Sequence, residues 1–157
     1  MPTPTVIAGH GATVAYEALP SGSPGVFTAI SELTSDFKRP KLTRGNTEYT
    51  SHNKNVSYFS TGYPVWDKMS FACNYMYNDG THDHLTGIKK QFSQNTVVGL
   101  RMRGPTGTTA TDEMIVSGQW ISWEITDPNK QGAPRQITFE FQPSGNWIED
   151  GVVFTGA

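Results

Sequence analysis

At 157 residues the chain suits one domain with a core of its own, and 36% apolar against 17% charged residues excludes a disordered polyelectrolyte. A formal net charge of −2 excludes an all-over basic surface for gripping nucleic acid, and no apolar run is long enough to span a bilayer. The single Cys73 makes no intramolecular disulfide and suits a protein folded in cytosol, while 16 Gly and 10 Pro predict many turns between short strands.

The opening MPTPTVIAGH lacks the basic start and long apolar core of a secretory signal, so secretion by that route is not expected. Residues 1–12, with Pro2, Pro4, Gly9 and Gly11, read as an extended N-terminal arm. Residues 13–17 form a short strand before the turn LPSGSPG, and VFTAISELTS (26–35) has strand composition, with Ile30 and Leu33 hinting at a bulge; the two predict a hairpin. Residues 36–67 are polar and irregular, punctuated by Pro40, Gly45, Gly62 and Pro64. This reads as a loop of about thirty residues, too long for a compact domain unless it is functional or orders against another chain.

MSFACNYMY then alternates, with Met69, Phe71, Cys73, Tyr75 and Tyr77 on one face and Ser70, Ala72 and Asn74 on the other. After Asn78-Asp79-Gly80, a helix is expected with Thr81 as its cap, Asp83 in its first turn, Leu85, Ile88 and Phe92 as its apolar stripe, and Lys89 and Lys90 towards its C-terminus. Strands are expected over 97–103, 114–125 and 135–142, separated by the loops GPTGTTAT and DPNKQGA. In the last of them Ile137, Phe139 and Phe141 face one way and Gln136, Thr138, Glu140 and Gln142 the other, and residues 143–157 read as a short tail. The sum is a mainly β fold in a single domain: a small β-sandwich or partly closed barrel with one flanking α-helix.

Little in the chain points to chemistry. His82-Asp83-His84 offers metal-ligand types, but residues two apart on a helix diverge and no companion pair exists; solvated cap residues are the plainer reading, and His10 and His52 add nothing. Cys73, on the aromatic face of its strand, reads as a packing thiol, and no Gly-x-Ser-x-Gly signature supplies another nucleophile. The acid pairs Asp112-Glu113 and Glu149-Asp150 read as solvated, and GPTGTT lacks the lysine and context of a phosphate loop. No catalytic residue, metal or cofactor is therefore expected, and the chain reads as a non-enzyme.

Charge distribution is more informative. Lys38, Arg39, Lys41 and Arg44 crowd the start of the long loop and Lys54 follows, whereas Asp112, Glu113, Glu124, Asp127, Glu140, Glu149 and Asp150 outnumber Lys130 and Arg135 in the last third. The pattern suits head-to-tail self-association, in which a basic loop meets an acidic surface of the next copy; a solvated loop is the plainer reading. KRPKLTR has no interleaved aromatic to stack a base, which disfavours a nucleic-acid grip. Four Trp and six Tyr suit core and interface filling, with a carbohydrate-binding platform as the less common use.

The run FTAISELTSDFKRPKLTRGNTEYTSH followed by SYFSTGYPVWDKMSFACNYMYNDGTHDHLTGIKKQF resembles the tail tube proteins (major tail proteins) of long-tailed bacteriophages, of siphophage type. There a strand with an Ile-x-x-Leu-like pattern, here Ile30 and Leu33, leads into a loop carrying a Thr-Ser-His-like element, here Thr50, Ser51 and His52; a glycine, here Gly62, precedes an alternating strand and short helix. MIVSGQWISWEITDP with RQITFEFQPSGN resembles the family's closing strand pair, with Gly118 and Gly145 in the expected places. The match spans roughly residues 13–147. It departs at Gly62-Tyr63-Pro64-Val65-Trp66-Asp67, where many relatives have Gly-Leu followed by an acidic residue and Gly, and from the short tail the C-terminal immunoglobulin-like domain that some relatives carry is not expected.

The resemblance implies a subunit of hexameric rings that stack into a hollow tube, a conduit for DNA passing to the host without sequence-specific binding. Implied partners are further copies of the chain and tail proteins such as the tape measure, tail terminator and distal tail proteins, with no membrane. The implied location is the virion, after synthesis in the host bacterial cytoplasm. Lys38, Arg39, Lys41, Arg44, Thr50, Ser51, His52, Lys54, Tyr63 and Trp66 are the residues expected at contacts between subunits or rings, and the lumen is expected to be neutral to acidic so that DNA slides. A contractile-tail or secretion-system tube subunit, and a carbohydrate-binding β-sandwich, are the alternatives.

Overall fold

The computed structural model describes residues 11–19, 25–34, 36–50 and 57–155. Most of the arm expected over 1–12, most of the turn LPSGSPG, and His10, Ser51, His52 and Lys54 lie outside the described residues. Strands β1 (Thr13–Glu17), β2 (Phe27–Ala29), β5 (Met69–Asn74), β6 (Val98–Thr108), β7 (Thr111–Thr126), β8 (Gln136–Glu149) and β9 (Val152–Phe154) form one 7-stranded antiparallel sheet. Its order is β2-β1-β6-β7-β8-β5, with β9 joined to β8 beyond the end of β5. Strands β3 (Leu42–Thr50) and β4 (Ser57–Trp66) form a separate two-stranded sheet, and α1 (Ile88–Ser93) is the helix among the described residues.

The inward alternation of three strands explains the core. Phe71 and Cys73 on β5, Leu100 and Met102 on β6, and Ile137, Phe139 and Phe141 on β8 are all 0% exposed. Trp120 of β7 stands among them with its ring edge-on to Phe141 at 5.0 Å, to Phe139 at 5.9 Å and to Tyr16 at 6.4 Å. The buried indole needs a partner, and Gln91 of α1 supplies it by accepting from Nε1 at 2.9 Å. The same amide donates at 2.7 Å to the carbonyls of Glu17 and Leu19, which pins the helix to the end of β1.

The sheet curls until its two ends are almost joined without closing into a barrel. Leu33, just beyond β2, makes an isolated bridge to Cys73 of β5, the strand at the other end of the order. The N–H of Thr34 donates to the Ala72 carbonyl at 3.0 Å, and that of Asn74 to the Glu32 carbonyl at 2.9 Å. Two glycines of the closing strands have local reasons. A Cβ on Gly118 would lie 2.1 Å from the Gln142 carbonyl oxygen, and Gly145 sits at φ +74 where β8 slips register against β7.

Several expectations are corrected. The segment 36–67 is no structureless loop, because most of it is the β3–β4 hairpin; it lacks an apolar face, but Thr43, Thr47, Tyr49, Tyr58 and Phe59 carry strand propensity. The strand expected over 26–35 shortens to β2, since Glu32 turns at φ +59. The loop GPTGTTAT is mostly strand, and β6 and β7 meet in a tight hairpin at Thr109 and Ala110. The tail over 143–157 instead continues β8 to Glu149 and adds β9.

The helix does not start at Thr81. Asp79 Oδ1 accepts from the Thr81 N–H and hydroxyl and shapes a turn, and the helix begins only after Gly87, where any Cβ would lie 2.3 Å from the Thr81 carbonyl oxygen. Of its expected stripe only Ile88 is buried; Leu85 and Phe92 are exposed. Beyond β5 the alternation also ends, so Tyr77 is exposed rather than facing inward with Phe71.

Candidate functional site

The hairpin is rooted at Trp66, opposite Leu42 in the register. The Trp66 indole is 9% exposed, donates from Nε1 to the Gly145 carbonyl at 3.3 Å, and meets Trp147 edge-on at 5.2 Å. Gln142 Nε2 donates to the Trp66 carbonyl at 2.9 Å, and the Asp67 N–H to the Lys41 carbonyl at 2.9 Å. Trp147 in turn stacks on Phe154 of β9 at 5.3 Å, so an aromatic row ties hairpin root, β8 and β9 together. Trp66 is thus an anchor in the wall of the domain, with little surface left for a neighbouring chain.

Beyond the root the hairpin leaves the domain. The register shifts between Arg44 and Asn46, where Gly45 opposes Gly62 and Tyr63, so the strand pair bends midway. At that bulge Tyr63 is 82% exposed; outward of it Phe59 is 63% and Tyr49 54% exposed, with Tyr49 and Tyr58 stacked across the strands at 5.6 Å. Thr50 is exposed at the far end of β3. A lone two-stranded hairpin is marginal in water, and aromatic side chains this exposed favour a covering surface that the described residues do not supply.

The basic residues do not form a single free cluster. Lys38, Arg39 and Lys41 line a cleft of about 460 Å³ at the hairpin root with Asp36, Asp67 and Lys68, while Arg44 stands out on β3. Arg39 Nη2 donates to Asp112 Oδ1 at 3.0 Å and to the Asp112 carbonyl at 3.2 Å; Lys68 pairs with Glu140 at 2.9 Å. Hydrogen bonds from Lys68 and Ser122 hold the Glu140 carboxyl below its ordinary pKa. The complementarity of a basic first half and an acidic last third is therefore used partly within one copy, and among the described residues of the basic stretch Lys38, Lys41 and Arg44 are in no ion pair.

The histidine pair separates. His82, expected to be a solvated cap residue, is 1% exposed; its Nδ1 accepts from the Met76 N–H at 3.1 Å and its Nε2 faces the Ser31 carbonyl at 3.3 Å, which assigns the proton to Nε2. With both nitrogens engaged the ring has no lone pair for a metal, while His84 lies at the surface 3.3 Å from Asp83. Cys73 is buried and its pKa is pushed up to about 12 by that burial, with Asp79 and Glu32 adding to the rise, so the thiol stays protonated.

One cluster gave no sign in the sequence. Two cations approach the ring of Tyr75, with Lys89 Nζ 5.1 Å and Arg135 Cζ 4.8 Å from its centroid, and Lys89 also stands 4.6 Å over Trp123. Its members come from the end of β5, from α1, from β7 and from the approach to β8, so no local spacing could announce it.

No protein-family model matches the chain, and no curated protein matches it in sequence. Its fold is that of solved tail tube structures. A chain of the SPP1 tail tube superposes with a TM-score of 0.63 at 10% identity, over 97% of this chain and 80% of that one. The tail of an empty gene transfer agent particle gives 0.64 at 13% identity, covering 97% and 100%, and the baseplate of the anti-feeding prophage 0.62 at 11%, covering 97% and 100%.

Proposed function

We propose that this chain is a structural subunit, not an enzyme, that forms hexameric rings stacking into the hollow tail tube of a bacteriophage of siphophage type. The observation that carries the reading is an aromatic β-hairpin projecting uncovered from a tail-tube fold. A hairpin that bridges to a neighbour gives a heterologous contact, which closes into a ring where the rotation between copies allows and otherwise propagates as a stack. Two of the similar structures are described with six-fold or C6 symmetry, which supports a hexameric ring.

In this reading DNA passes through the lumen without sequence-specific binding, and the tube sits in the virion after synthesis in the host cytoplasm. Its other partners are the tape measure, terminator and distal tail proteins. The contacts lie on the exposed residues of the hairpin and its root, Lys38, Lys41, Arg44, Thr50 and Tyr63, together with Ser51, His52 and Lys54. Negative-stain electron microscopy of the purified protein tests the proposal: rings or tubes are expected, and a monodisperse monomer at high concentration, with or without a tail initiator complex, contradicts it.

A further inference from the structure

The hairpin and the cluster around Tyr75 are chemical complements placed towards opposite ends of one strand, β8. Among the described residues outward of the hairpin bulge, 46–50 and 57–61, Glu48 is the charged one. It stands across the strands from Phe59, so one face of the outer hairpin presents a carboxylate beside an exposed aromatic ring. The Tyr75 cluster presents the converse: Lys89 and Arg135 converge on one ring, next to Trp123, which is 40% exposed.

Those two cations are under-compensated. Arg135 donates through Nε to Asp127, and its terminal nitrogens have no carboxylate among the described residues. Lys89, unlike Arg135, has no ion pair among them and rests on aromatic faces. Burial lowers the Lys89 pKa, Asp83 opposes the shift, and Arg135 adds to it, as expected for like charges brought close.

Position makes the match intermolecular. The hairpin root sits against Gln142 and Gly145 of β8, whereas Arg135 precedes the other end of that strand. By strand rise these points are about 20 Å apart, and among the described residues no hydrogen bond, ion pair or ring contact joins the outer hairpin to Lys89, Arg135, Tyr75 or Trp123.

We propose that the outer β3–β4 hairpin of one copy docks on the Tyr75 cluster of a neighbouring copy, with the Glu48 carboxylate between Lys89 and Arg135 and Phe59 against Trp123. The contact rests on the tube reading above and names the surface that receives the hairpin. The sign is the reverse of a basic loop seeking an acidic surface. The root of the hairpin is basic, but the described part of its outer half carries an acid and meets cations. Because donor and acceptor are different surfaces, each copy gives one contact and receives one, and the series continues.

A charge-swap cycle followed by sedimentation and microscopy tests this. Glu48→Lys is expected to raise the protein concentration needed for assembly by about tenfold or more, as is Lys89→Glu, and the combined E48K/K89E chain is expected to recover most of the loss. Thermal melts of the unassembled variants separate lost docking from lost folding. Where K89E itself melts early, the pair Glu48→Cys with Lys89→Cys decides, oxidised with copper phenanthroline and run without reductant. A ladder of covalent multimers supports the contact. Tubes with E48K at the wild-type threshold, no recovery in the double swap, or cysteine-pair tubes that run as monomer overturn it while leaving the tube reading intact. Wild-type protein that never assembles overturns both.

Discussion

Asp79 shows how much one polar side chain organises after β5. Its carboxylate is pushed up in pKa by partial burial, but hydrogen bonds from the Thr81 hydroxyl and N–H, with help from His82 and Ser31, prevail and hold it below the ordinary aspartate value. A carboxylate with a depressed folded-state pKa contributes stability that is fully present above the unfolded value and fades as pH falls through the folded one. Denaturant melts as a function of pH are therefore expected to weaken in the acid range below the ordinary aspartate pKa. Asp79→Asn should lower stability near neutrality and flatten that acid limb; an unchanged limb would assign it to other carboxylates. The sequence marked this turn, since Asn78-Asp79-Gly80 reads as one, yet it placed the helix too early. Spacing cannot reveal that Gly87 runs against the Thr81 backbone.

At the scale of elements, the hairpin is an appendage anchored at its root by Trp66, with Leu42 beside it. Replacing Trp66 by Ala removes the indole from its contacts with Trp147 and the Gly145 carbonyl, and truncation of a large buried aromatic costs about 3–5 kcal/mol when the site cannot collapse. Because the root is at the edge of the core, the lower end of that range is expected in urea unfolding. Hydrogen exchange in β3 and β4 should accelerate more than in β6 to β8, and uniform acceleration would show that Trp66 serves the whole sheet instead. The central strands were legible because their inward residues alternate against polar ones, as in Ile137, Phe139 and Phe141. The hairpin was illegible for the same reason: with both faces outside the core it carries no such alternation, and its polar composition reads as loop.

For the whole molecule, charge divides into pairs that hold the fold and groups that face outward. Reversal of Arg39 to Glu breaks the contact with Asp112 and places two acids together, so it should destabilise the monomer modestly, by about 1 kcal/mol given its exposure. Joint reversal of Lys38, Lys41 and Arg44 should leave the melting curve unchanged and impair assembly, read by sedimentation. If the triple reversal assembles normally, the basic root takes no part in contacts between copies and the outer hairpin carries them alone.

What the sequence by itself determined is the class of fold: a β-rich domain whose core strands declare themselves by period-two alternation and whose residue order resembles tail tube proteins. Burial of apolar side chains is a local, periodic demand, so it is written along the chain. Only the tertiary structure decided that residues 36–67 hold a hairpin, that Arg39 pairs with Asp112 and Trp66 with the Gly145 carbonyl, and that Lys89, Arg135, Tyr75 and Trp123 come together. Those outcomes depend on which distant elements meet, and the free energy of such meetings has no period to read.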